Sequence, residues 1–98
     1  MAQTDGDTII EEKIDEPPLY RVLMHNDDKT TMQFVVDIIC NVFNKDREEA
    51  YELMLRVHEH GLAIIGVYPR EIAETKISRV HHAAYRAGFP LRCTMEKD

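Results

Sequence analysis

From residue 19 onward the chain switches between two hydrophobic rhythms, one of period two and one near 3.6. Tyr20, Val22 and Met24 alternate with Leu19, Arg21 and Leu23, the spacing of a half-buried strand over 19–25. Phe34-Val35-Val36, Ile38-Ile39 and Val42-Phe43 then recur at helical intervals, as in a mostly buried helix. Thr30 is placed to cap that helix with Gln33 reaching back, the capping-box spacing, and the pattern fades at Asn44-Lys45. Asp46 caps a second helix, with Glu49 in the matching position and acids in the first turn. Ala50, Leu53, Met54 and Val57 form its apolar stripe, and Gly61 is its terminator. Residues 62–68 are a short, mostly apolar run that suits a central strand. Pro69 opens a third helix, where its missing N–H costs nothing. Glu71 and Glu74 sit at that helix's positive end, and Ala73, Ile77, Val80, Ala84 and Ala87 keep a helical period up to Gly88. Residues 90–96 alternate again, as a last strand. The order strand, helix, helix, strand, helix, strand predicts an α/β domain of the α+β type, a small three-stranded antiparallel sheet with three helices on one face.

Length and charge narrow the function classes. At 98 residues there is room for one domain, with residues 19–98 as its core. A chain this size buries roughly two thirds of its unfolded surface, so a shallow surface pocket is the larger cavity to expect. Residues 1–18 carry six acids against Lys13, lack an apolar period beyond Ile9-Ile10 and end in Pro17-Pro18. They are read as a disordered acidic arm. The remainder carries twelve acids and eleven bases, so no basic patch points to nucleic acid. No run of 18 apolar residues exists to span a membrane. The N-terminus lacks a basic region followed by an apolar stretch and is too acidic for a transit peptide. A cytoplasmic protein is the expectation, although a processed organellar one would look the same. Cys40 falls in a helical run and Cys93 in an alternating one, which fits two small buried hydrophobes.

The candidate chemistry lies in Asn26-Asp27-Asp28, between the first strand and the first helix. Two readings stand side by side. Asn and Asp favour turns because their side chains bond nearby backbone. A strand that turns straight into a helix also sets those acceptors at the lip of an apolar cavity. Such a lip suits a ligand with a cationic head and an apolar body, like the free N-terminus of a peptide that begins with a large apolar residue. Calcium is disfavoured, since the alternating ligands and glycine of an EF-hand loop are missing. His58 lies at the edge of the second helix's stripe, either packed and hydrogen-bonded or offering its acceptor nitrogen to a cation. His58 and His60 diverge by about 200° on a helix, and His81 and His82 by about 100°, which does not make a zinc site. Met32 and Met54 are ordinary core filler or an adaptable wall. No serine elbow, phosphate loop or Cys–His signature is present, so neither an enzyme nor a cofactor is expected.

Taken together, Leu19 to Asp28, Thr30, Met32 and Phe34-Val35-Val36 resemble the start of a ClpS-type adaptor. The likeness continues through Leu53-Met54-Leu55, Val57-His58, Gly61, Gly66-Val67 and Glu71 to Lys76, and closes with Pro90-Leu91, Cys93-Thr94 and Glu96-Lys97. It covers about residues 19–97 in order and displaces the turn-only reading. The resemblance implies a small α/β fold that binds peptides beginning with Leu, Phe, Tyr or Trp. It further implies their delivery to the ClpA or ClpC unfoldase of the Clp protease. On matching positions it implies that Asn26, Asp27 and His58 hold the α-amino group and adjoining backbone. Thr30, Met32, Val35, Met54, Val57 and Leu91 would line the side-chain pocket. Glu71 and Lys76 would dock on the unfoldase's N-terminal domain, and the acidic arm would engage the unfoldase during hand-over. Two positions depart from the family pattern. Thr31 stands where proline is usual and is expected to loosen the lead-in to the first helix. Lys29 stands where tyrosine is common and adds a positive charge near the amine site. Two other readings compete: a regulator that docks on the unfoldase with a blocked pocket, and an RNA- or ribosome-associated domain, which would need a basic face.

Overall fold

Strands β1 (Leu19–His25), β2 (Leu62–Pro69) and β3 (Arg92–Lys97) and helices α1 (Met32–Phe43), α2 (Arg47–His60) and α3 (Arg70–Ala87) follow in the order β1-α1-α2-β2-α3-β3. The structure, a computed structural model, describes residues 17–98. Apart from the exposed Pro17 and Pro18, the acidic arm therefore lies outside the described residues. The sheet is antiparallel with order β2-β1-β3. The three-stranded sheet with helices on one face is as expected.

The apolar run of β2, expected at the centre of the sheet, forms an edge; β1 is central. Ala63 and Ile65 face the helices and are buried, whereas Leu62, Ile64 and Val67 are exposed. The run is apolar on both sides because β2 carries apolar residues on the open face, not because two layers cover it. On β1, Val22 and Met24 are fully buried beneath the helices. Leu23 is buried from the other face, between its Cα partners Ile64 and Thr94. Between Val22 and Leu23 the register shifts, so that Ile65 becomes an extra residue of β2 and stays in the core. The Tyr68 ring lies across Gly66, with ring carbons 2.7 Å from where a Cβ would stand. Any side chain at position 66 would displace that ring.

Helix ends follow local chemistry, with two corrections. Asp46 caps α2 by accepting from the Glu49 N–H at 2.8 Å. Gly61 ends it at φ 86°, a left-handed conformation that favours glycine, with its N–H donating to the Val57 carbonyl. The cap of α1 is Thr31 rather than Thr30: its hydroxyl accepts from the Phe34 N–H at 3.2 Å. Gln33 does not reach back but donates to Asp37 four residues on. Thr31 thus secures the start of α1 instead of loosening it, and its φ of −72° is close to the value proline would impose. Pro69 is the cap of α3 and the last residue of β2, so the helix itself opens at Arg70. Thr31→Ala is expected to destabilise the fold by about 0.5–2 kcal/mol. The check is a lowered urea midpoint at unchanged slope.

Small residues let α3 lie close against the sheet: Ala73, Val80 and Ala84 are buried, Ile77 is half-buried, and Ala87 is exposed. Cys40 and Cys93 are free thiols, and burial pushes the Cys93 thiol up to about 12.

Candidate functional site

After His25 the chain leaves the sheet and reaches α1 through Asn26 to Thr31. Two sets of contacts fix this turn. The Asn26 N–H donates to the Gly61 carbonyl at 2.8 Å, which ties the turn to the end of α2, beside His58. Within the turn the Asp27 carboxylate gathers three donors. Its Oδ1 accepts from the Lys29 N–H at 2.8 Å and the Thr30 N–H at 2.7 Å, and its Oδ2 accepts from the Thr30 hydroxyl at 2.7 Å. A carboxylate offers about four lone-pair positions, so one remains, on Oδ2. Burial opposes ionisation of Asp27, but the bonds from Thr30 and Lys29 outweigh it and hold the carboxyl below its ordinary value. Thr30 is therefore not a helix cap because Asp27 has captured both its hydroxyl and its N–H.

Between this turn and α2 lies a cavity of about 290 Å³. Asn26, Asp27, Asp28 and Thr30 form a polar lip, with His58 facing them from α2. Val35, Met54 and Val57 form an apolar floor and are 7%, 3% and 2% exposed. Met54, Val57 and His58 are spaced i, i+3 and i+4 on α2, so one helix face supplies part of the floor and one polar group. Met32, the first residue of α1, completes the wall and is 49% exposed.

Eight of the residues singled out in the sequence thus meet in one cavity. Leu91 is not among them. It is buried just before β3 and borders a separate groove with Ala84, Phe89 and Pro90. Asp28, named with the Asn-Asp-Asp run but given no binding role, also lines the cavity. Lys29 is exposed and does not line it. Away from the cavity, Glu71 is exposed on the first turn of α3. Lys76 turns inward: its Nζ donates to the Val42 carbonyl at 2.9 Å and stands over the Phe43 and Tyr68 rings. That contact satisfies a carbonyl left without a partner at the C-terminal end of α1.

His81 accepts from the Cys93 N–H at 3.0 Å. Among the described residues no group of three or more His, Cys, Asp or Glu could hold a metal ion, and no helix is long and apolar enough to cross a membrane. The cavity lining contains neither serine nor cysteine.

Fold and site define a small α/β domain with one cavity that is acceptor-rich at its lip and apolar at its floor. Residues 15–94 match the family model described as ATP-dependent Clp protease adaptor protein ClpS. The ATP-dependent Clp protease adapter protein ClpS of Oleidesulfovibrio alaskensis is 52% identical over 93 residues, covering 95% of this chain and 89% of the relative. That of Desulforapulum autotrophicum is 54% identical over 89 residues, covering 91% and 86%. Among solved structures, Agrobacterium tumefaciens ClpS2 bound to L-phenylalaninamide superposes with a TM-score of 0.82 at 36% identity, over 85% of this chain and all of that one. The chain belongs to the ClpS family of Clp protease adaptors. It is an adaptor and not a catalytic enzyme.

Proposed function

We propose that this adaptor binds proteins whose N-terminal residue is Leu, Phe, Tyr or Trp and hands them to the unfoldase of the Clp protease. The observation that carries the reading is the cavity's division into an acceptor lip and a buried apolar floor. A free α-amino group needs hydrogen-bond acceptors, preferably anionic ones. Asp27 Oδ2, the Asn26 side-chain carbonyl and a ring nitrogen of His58 supply them. The first side chain enters between Val35, Met54 and Val57. L-phenylalaninamide, which the ClpS2 relative holds, has this chemistry: a free α-amine, an apolar side chain and no terminal carboxylate.

Magnitudes support an adaptor that releases its cargo. Two or three hydrogen bonds to an ammonium contribute roughly 1.5–3 kcal/mol each. Burying a Leu or Phe side chain adds about 2–3 kcal/mol. These terms span roughly 5–12 kcal/mol before ordering costs, so the complex is expected to be no tighter than about micromolar, near −8 kcal/mol. The open cavity favours this reading over a regulator with a blocked pocket.

The N-terminal domain of ClpA or ClpC is the partner in this reading. Glu71 is its exposed carboxylate contact, and Lys76 fixes α3 against the end of α1. Hand-over falls to residues 1–18, which are strongly acidic. The test is degradation of a reporter beginning with Phe by the unfoldase and its peptidase. The full chain is expected to accelerate it and to leave a reporter beginning with Ala unaffected. A chain starting at Pro17 is expected to bind Phe-peptides undiminished but not to accelerate degradation. Full acceleration by the shortened chain would refute that division of labour.

A further inference from the structure

A second cavity of about 310 Å³ adjoins the first, lined by Met32, Gln33, Val36, Arg47, Tyr51 and Met54. Met32 and Met54 belong to both. Arg47, Tyr51 and Met54 are spaced i, i+4 and i+7 and share one face of α2, while Gln33 and Val36 share one face of α1. The far side is held in place. The Arg47 guanidinium donates to Asp37 Oδ1 at 2.8 Å and reaches Cys40 Sγ at 3.7 Å, and Gln33 Nε2 donates to the same Asp37 oxygen at 3.0 Å.

The walls of the first cavity differ in their freedom to move. Val35, Met54 and Val57 are packed into the core, and a close-packed interior does not recede to admit a larger group. Met32 is half-exposed, has three rotatable bonds and has open volume on its far side. Tyr51, on the far side, offers a ring with which a thioether makes a favourable contact. Among the apolar walls, only Met32 combines mobility with somewhere to go.

We infer that the cavity beyond Met32 receives the Met32 side chain when a Trp side chain fills the first cavity, so that Gln33 and Tyr51 set the largest first residue the adaptor accepts. This rests on the proposed function above. Leu, being smaller, needs no such displacement. Filling the second cavity should therefore penalise Trp and spare Leu.

The test uses the full chain and four peptides, beginning with Leu or Trp and carrying Ala or Phe in second place. Gln33→Phe, an exposed substitution that fills the second cavity, is expected to weaken both Trp-peptides roughly tenfold or more relative to the Leu-peptides, the worth of a small steric misfit. Adding Tyr51→Ala to Gln33→Phe reopens space and is expected to restore most of the Trp affinity. In the wild type with methyl-labelled methionine, a nuclear Overhauser contact between the Met32 methyl and the Tyr51 ring is expected with Trp-peptide and not with Leu-peptide. An unchanged Trp-to-Leu ratio in Gln33→Phe overturns the inference. So does an effect that follows the second residue, which would make the cavity a subsite for that side chain. So does the same Met32–Tyr51 contact with both peptides. Failure of the wild type to bind any of the four peptides would overturn the proposed function as well; a wild type that binds all four isolates the inference.

Discussion

Met32→Ala is expected to bind peptides beginning with Ile or Val, which the wild type is expected to reject, while keeping those beginning with Leu or Phe. The discrimination begins at the ligand's Cβ. Leu and Phe have an unbranched Cβ and carry their bulk further out, whereas Ile and Val are branched at Cβ and stiff at χ1. Met32 is the half-exposed wall residue where the turn enters α1, beside the polar lip that would hold the α-amine. A ligand pinned there by its amine presents its Cβ to Met32 before its side chain reaches Val35 and Val57. Selection is then a clash with the wrong ligand rather than added attraction to the right one. Removing the thioether should improve Ile binding by about 1–3 kcal/mol, the usual worth of a misfit of one methylene. Leu and Phe should lose slightly, because one wall of their contact is gone. Anisotropy titrations of the four peptides against both proteins check this. Continued rejection of Ile by the variant would move the gate elsewhere.

His58→Ala is expected to bind a Phe-peptide roughly tenfold or more weakly, by the roughly 1.5–3 kcal/mol of a hydrogen bond to a charged group. The variant loses one acceptor for the ammonium and keeps the apolar floor of Val35, Met54 and Val57. The pH dependence falls to Asp27. Its carboxyl is held below its ordinary value by the bonds from Thr30 and Lys29, so it is an anion near neutral pH. Its contribution is lost only at acidic pH, as the pH falls through that lowered value. Anisotropy titrations check both, and undiminished affinity in His58→Ala would mean that His58 accepts nothing from the amine.

What the sequence made legible follows from how local each cause is. The alternation in β1 and the Asp46 and Gly61 ends of α2 depend on neighbours within a few residues. They could be read directly. The convergence of Asn26, Asp27, Met54, Val57 and His58 came from the family resemblance, because no spacing along the chain brings α2 against the turn after β1. What could not be read lies where two residues competed or a distant group intervened. Thr30 and Thr31 are both plausible caps, and the choice falls to Thr31 because Asp27 takes Thr30 first. The edge position of β2 depends on pairing across the sheet, which an apolar run does not encode. Lys76 has the charge of a surface residue, yet a carbonyl 34 residues away draws its amino group inward. Leu91 is buried in the same core as Val35, Met54 and Val57 and borders a different groove, a placement that no spacing along the chain discloses.

The central claim is that one cavity reads a free α-amine and a large unbranched-Cβ side chain together. Fluorescence anisotropy with three peptides identical beyond their first residue tests it most directly: one beginning with Leu, one with Ala, and one with N-acetylated Leu. The account predicts micromolar binding of the Leu-peptide. It predicts at least roughly tenfold weaker binding of the Ala-peptide, which leaves the floor of Val35, Met54 and Val57 unfilled, and of the acetylated peptide, which leaves Asp27 and His58 without a cation. Comparable affinities for all three would contradict it.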